Sequence, residues 1–261
     1  MKIFYIILLV NFNLQRIQAQ SDTELEDVIL FCNEVLETDS MNRACLEARG
    51  EAFFKLNKQD KALNDFMLLI QCDSLNSGYL YNIGLVQIEL SAFASAIEVF
   101  NNALIVDTKD SRLYFARGYS KYKINYFKEA IQDYSLCIQY CGYDDKQLLV
   151  KCYNNRGLAY TNVDLYEEAI GDFSKALILI KEPYSNIYFN RGYAFYKLNK
   201  IHEALIDLKK AHDIDPNNKF ALKYLSIVYY DIGEIELACQ YFKIAQEKGV
   251  KIDIQLNGKC Q

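Results

Sequence analysis

The chain has no tryptophan, two prolines and two histidines among its 261 residues. With proline only at 183 and 216 and no Gly/Ser/Pro-rich tract, no extended rod or flexible linker divides it. His202 and His212 stand ten residues apart and no His-Glu-x-x-His occurs, so no histidine metal pair is written. None of the eight cysteines forms a Cys-x-x-Cys, which removes a thioredoxin-like redox motif and the usual zinc knuckle. A glycine-rich phosphate loop and a Ser/His/Asp arrangement are also missing. The reading is therefore a protein that is not an enzyme and uses no cofactor. Basic charge is not in excess either: 29 Lys and Arg stand against 34 Asp and Glu, a net charge of −5. That balance argues against binding nucleic acid or anionic lipid through bulk electrostatics.

The one uninterrupted apolar run near the start, Ile3 to Val10, is too short to span a bilayer and is broken by Asn11, Asn13, Gln15 and Arg16. Lys2 before it and Gln18-Ala19 after it give the order of a secretory signal, with cleavage before Gln20. The expectation is a signal peptide over 1–19 and an exported protein, periplasmic or secreted. The alternative is a cytoplasmic protein with an uncleaved N-terminus. Removing 1–19 takes Lys2 and Arg16 with it and moves the charge from −5 to −7. No Asn-x-Ser/Thr acceptor occurs, which leans toward a bacterial periplasm or surface.

What the chain has in abundance is a period. Gly50, Ala62 and Phe66 begin a spacing that recurs at Gly84, Ala96 and Phe100, at Gly118, Ala130 and Tyr134, and at Gly157, Ala169 and Phe173. Gly192 and Ala204 continue it to Leu208, and Ser226, Ala238 and Phe242 close it. The steps are 34, 34, 39, 35 and 34 residues. A fixed period in this range marks stacked supersecondary units. Ala169, Ile170, Phe173, Ala176 and Leu177 make an apolar helical stripe in the fourth copy. The Gly and Ala are small where two helices cross closely, and the aromatic fills the space between them. The longer step predicts an insertion at Cys141-Gly142-Tyr143-Asp144-Asp145, read as a longer helix or loop.

This pattern resembles the tetratricopeptide repeat family, over residues 43–252. Ile83-Gly84, Arg117-Gly118, Arg156-Gly157 with Tyr160, Arg191-Gly192 with Phe195, and Pro216 carry the resemblance. Tyr114, Tyr153 and Tyr188 sit where the family has tryptophan. The resemblance implies an all-α fold, a right-handed superhelical solenoid of stacked helix-turn-helix repeats. The expected organisation is a capping helix within 20–42, six repeats (43–76, 77–110, 111–144, 150–183, 185–218, 219–252) and a tail, 253–261.

The resemblance places the first helix of each pair on a concave face. The expected peptide-binding groove is then Tyr81, Asn82, Phe115, Tyr119, Tyr122, Asn154, Asn155, Phe189, Asn190, Tyr193 and Tyr196. Aromatic side chains bury large area at low entropic cost. The amides of Asn82, Asn155 and Asn190, at equivalent places, match a peptide backbone of any sequence. Glu47 and Glu51 stand where chaperone-binding members carry Lys and Asn, so a C-terminal carboxylate ligand is not expected. In the repeat frame Cys45 faces Cys72, with Cys32 competing for Cys45, and Cys152 opens a helix beside Cys137 and Cys141. Cys45, Cys72, Cys141 and Cys152 are the disulfide candidates, and Cys137 reads as a small core residue in an alanine position. The function implied is a protein-interaction scaffold that grips a peptide or protein segment. The alternative is a structural or oligomeric component of the cell envelope that assembles through its terminal edges, by self-association or with another protein.

Overall fold

A computed structural model describes residues 21–250 and Cys260. The expected signal peptide, and the tail apart from Cys260, lie outside the described residues. Thirteen α-helices occur among the described residues, divided between two compact units that meet in sequence at Lys109 and Asp110.

The first unit holds α1 (Asp22–Thr38), α2 (Arg43–Lys55), α3 (Gln59–Cys72), α4 (Ser77–Glu89) and α5 (Phe93–Val106). The second holds α6 (Ser111–Lys123), α7 (Phe127–Tyr140), α8 (Lys146–Asn162), α9 (Tyr166–Leu179), α10 (Ser185–Lys197), α11 (Ile201–Ile214), α12 (Lys219–Asp231) and α13 (Ile235–Glu247). In each unit every helix packs on the next in sequence, forming the stacked helical-pair array of a tetratricopeptide-like fold. The insertion adds four residues to a helix and one to the loop before it: α8 has 17 residues where α6 has 13.

Two local rules build the pairs, the first at every first helix except α10. Asn42, Asn76, Asp110, Asp145 and Asn218 cap the first helices by accepting a backbone N–H of the first turn, satisfying one of its orphan donors. The turn between the two helices passes through a left-handed residue at one place: Asn57, Ser91, Asn125, Asp164, Asn199 and Gly233, with φ between 55° and 84°. There the chain closes with paired backbone bonds, as in Lys58 N–H to Phe53 O and Asn57 N–H to Phe54 O, which end one helix and start the next without a side-chain cap.

The signature residues form the core. Ala62, Ala96, Ala130, Ala169, Ala204 and Ala238 are fully buried, and so are Phe66, Phe100, Tyr134, Phe173 and Leu208 to within 1%. A Cβ on Gly157 would stand 2.7 Å from Cε1 of Phe173, and Gly50 and Gly84 face Phe66 and Phe100 in the same way. Glycine is needed there because the ring of the second helix lies against the backbone of the first.

Candidate functional site

The orientation of four of the first helices is held by ion pairs. Arg49, Arg117, Arg156 and Arg191 stand immediately before the signature glycine, and each grips Asp65, Asp133, Asp172 or Asp207 through Nε and Nη2 at 2.6–2.9 Å. The planar guanidinium makes two parallel charge-assisted bonds to one carboxylate. Nη1 of three of them reaches a further helix: Asn33 for Arg49, Ser135 for Arg156 and Ser174 for Arg191. One side chain thereby joins three helices. Where the arginine is missing the aspartate is missing too, since the second copy has Ile83 and Val99 and the sixth Leu225 and Tyr241. The Asp side chains are only 2–4% exposed, so each needs its cation.

In the second unit, contacts join successive first helices. Tyr122 of α6 accepts a bond from Asn162 of α8 at 3.1 Å. Asn190 of α10 donates to Asn154 of α8 at 3.4 Å. Between α10 and α12, the Tyr196 hydroxyl donates to Asp231 at 2.7 Å, and Tyr193 meets Tyr224 edge-on at a centroid distance of 5.0 Å. Phe189 adds contacts to Tyr224 at 5.7 Å and to Phe220 at 5.6 Å. Phe115 leans on Tyr134 at 5.9 Å and Tyr119 lies under the Lys123 ammonium at 5.3 Å. Burial, then the Asp231 bond, push the Tyr196 hydroxyl up to about 12, and burial beside Tyr193 does the same for Tyr224. Both are therefore neutral hydrogen-bonding groups at any physiological pH. A cavity of about 430 Å³ lies at one end of this face, lined by Tyr196, Lys197, Asn199, Ile201, Asp231 and Ile232.

In the first unit Tyr81 packs on Phe100 at 6.3 Å. Asn82 lines a cavity of about 220 Å³ with Glu51, Phe54, Lys55, Phe66 and Leu85. Burial raises the Glu47 carboxyl, and burial together with the Glu47 charge raises that of Glu51.

Asn155 and Asn190, equivalent in sequence, are not bonded to each other. Asn155 donates to the Lys151 carbonyl of its own helix at 2.9 Å, and its neighbour Asn154 is the residue that meets Asn190. The added turn of α8 does not change the 34–35-residue register after it, so this offset belongs to side-chain direction. Phe220, Asn162 and Asp231 join the face without having been picked out in the sequence. Tyr224 recurs there as a periodic aromatic. The aspartates of the ion pairs could have been found by noting that each precedes the signature aromatic when an arginine precedes the glycine.

The cysteines pair as Cys137–Cys152 and Cys239–Cys260. Cys152 is thus bonded, while Cys45, Cys72 and Cys141 carry thiols. Cys141 lies past the end of α7 with its Sγ toward the carbonyls of Gly142 and Asp145, and Cys137, one turn back and fully buried, is the one that faces Cys152. Cys45 is buried, and its thiol neighbours that of Cys32 on α1. No cluster among the described residues has the three or more His, Cys, Asp or Glu that a metal ion needs. No helix among the described residues is long and apolar enough to cross a membrane.

The family model for the tetratricopeptide repeat matches residues 185–218. A DnaJ homolog subfamily C member 7 homolog of Dictyostelium discoideum is 26% identical over 230 residues, covering 84% of this chain and 40% of that protein. The chain spans less than half the length of the curated relatives it matches. Among solved structures, PilF of Pseudomonas aeruginosa superposes with a TM-score of 0.70 at 15% identity, covering 85% of this chain and 99% of that one. YrrB, described as a repeat protein with an unusual peptide-binding site, gives 0.61 at 19% identity, covering 73% and 95%. At these identities the structural likeness is one of fold.

Proposed function

The chain is a tetratricopeptide repeat protein, and from that premise we propose that it is a non-enzymatic scaffold that binds an extended segment of a partner protein along the first-helix face of its second unit. The observation that carries this reading is the series of contacts between successive first helices: Tyr122 with Asn162, Asn154 with Asn190, Tyr193 with Tyr224, and Tyr196 with Asp231. Rigid aromatic rings supply contact area at low entropic cost, and amides and neutral hydroxyls supply donors and acceptors for a peptide backbone. Phe220, 62% exposed beside Phe189, offers an apolar anchor at the same face. The helix pairs are read as the six repeats of 43–252, with α1 as the N-terminal cap.

The test is selection of a random peptide display library on the immobilised full chain. Enriched peptides are expected to bind at least about tenfold more weakly to a Tyr119→Ala/Tyr193→Ala variant of unchanged circular dichroism, as loss of two aromatic contacts implies. Equal binding by both proteins, or no enrichment, would overturn the reading. Export is part of the proposal. Two disulfides are consistent with an oxidising compartment. N-terminal sequencing of the native protein should then begin at Gln20, and a retained Met1 would contradict it.

A further inference from the structure

Cys32 and Cys45 are buried at 1% and 7% exposure on two helices that pack together, α1 and α2, and neither is in a disulfide. Their surroundings fix the two helix faces in register. Asn33, next to Cys32, accepts a 2.6 Å bond from Arg49, which lies one turn beyond Cys45 on the same face. Arg49 is itself clamped by Asp65, so this face of α2 cannot rotate away. The Cys45 thiol is the nearest polar neighbour acting on the Cys32 thiol across this interface. We propose that Cys32 and Cys45 are an oxidisable pair that forms a third disulfide, stapling the N-terminal helix α1 onto the first repeat.

The reason to need a staple lies in the fold. Among the described residues α1 packs chiefly on α2. Its apolar side is modest: Leu25 and Cys32 are its buried residues, and Ile29 and Leu36 pack partly against the core of the first unit. A helix held chiefly by one interface opens more readily than one held by two.

The chemistry is thiol–disulfide exchange with a low-molecular-weight disulfide as oxidant. One cysteine thiolate attacks the incoming disulfide, forming a mixed disulfide and releasing one small thiol. The second cysteine then displaces the other small thiol. The pair loses two protons and two electrons, and the oxidant is reduced to two thiols. In the packed state burial, reinforced by the neighbouring Cys45, pushes the Cys32 thiol up to about 12, so it is protonated and unreactive. Exchange therefore proceeds while α1 is lifted, during folding or local opening, and re-docking brings the second sulfur into place.

The experiment uses the full chain, made in a reducing cytosol and then incubated with oxidised glutathione. Free thiols are alkylated under denaturing, non-reducing conditions and the digest is read by mass spectrometry. The expected result is a peptide linking Cys32 to Cys45, with Cys72 and Cys141 alkylated. Alkylation of both Cys32 and Cys45 while Cys137–Cys152 and Cys239–Cys260 are linked overturns the proposal, and so does a Cys45–Cys72 link. The oxidised chain should also be cut in α1 by a glutamate-specific protease at least about tenfold more slowly than the same chain before oxidation, the order expected for a cross-link that suppresses opening. An equal rate would show that the bond does not restrain α1. The Cys32→Ala and Cys45→Ala variants should each lose the oxidant-dependent difference. If one does not fold, the comparison of wild type before and after oxidation stands alone.

Discussion

At the residue scale the repeating unit is held by two interlocks, one apolar and one ionic. The glycine before the crossing lets a ring from the second helix lie on the backbone of the first, and the arginine beside it binds the aspartate beside that ring. The ionic interlock is the less legible of the two. Its arginines stand in the family pattern, but the aspartates lie 16 residues on, and only the co-occurrence of the two, not the face of a single helix, shows that they turn inward. Removing one partner leaves a buried charge unmatched, which costs far more than exchanging both for apolar groups. Asp172→Ala is expected to lower stability by about 3 kcal/mol, the lower end of the range for breaking a buried pair. The double substitution Arg156→Ile/Asp172→Val, copying the Ile83 and Val99 of the second repeat, should stay within about 1 kcal/mol of wild type. Urea unfolding midpoints at constant slope would measure both. A double variant as unstable as Asp172→Ala would mean that the third-helix bond of Arg156 to Ser135, and not the pair itself, carries the stability.

At the element scale the helix pairs follow from local chemistry. Asparagine or aspartate before most first helices marks where they start, and the left-handed residue at the turn marks where they stop. The choice of residue at that turn is informative. Asn, Asp and Gly tolerate positive φ, while Ser91 adopts a φ of 58° at a steric cost. Ser91→Gly is expected to stabilise the first unit by about 0.5–1 kcal/mol, the relief of left-handed strain being partly offset by the freer unfolded glycine. A higher midpoint in thermal or urea unfolding is the outcome that supports this, and an unchanged or lower one counts against it. The insertion after the third pair became an added turn at the start of α8 because Asp145, accepting from Leu148 N–H, caps the helix four residues earlier than the period requires.

At the scale of the whole molecule, each unit is a sum of neighbouring interfaces, and covalent links act where they tie one interface together. Cys137–Cys152 joins α7 to α8 across the insertion. A Cys137→Ala/Cys152→Ala chain is expected to lose about 3 kcal/mol of stability, the chain-entropy value for a loop of this length, and dithiothreitol should then no longer shift that transition. A residual shift would come from Cys239–Cys260 or from the proposed Cys32–Cys45 bond. The sequence alone determined the helix-pair period, the small-against-large core and the all-α array, because those depend on spacings inside a single repeat that any copy must satisfy. Which side chains meet between pairs was decided only by tertiary structure. Tyr122 with Asn162, Asn190 with Asn154, and Tyr196 with Asp231 lie 40, 36 and 35 residues apart. Which cysteines met was settled there too. A period states that positions are equivalent, whereas contact between first helices depends on how far each pair is rotated against the last and on where a side chain points from its own turn.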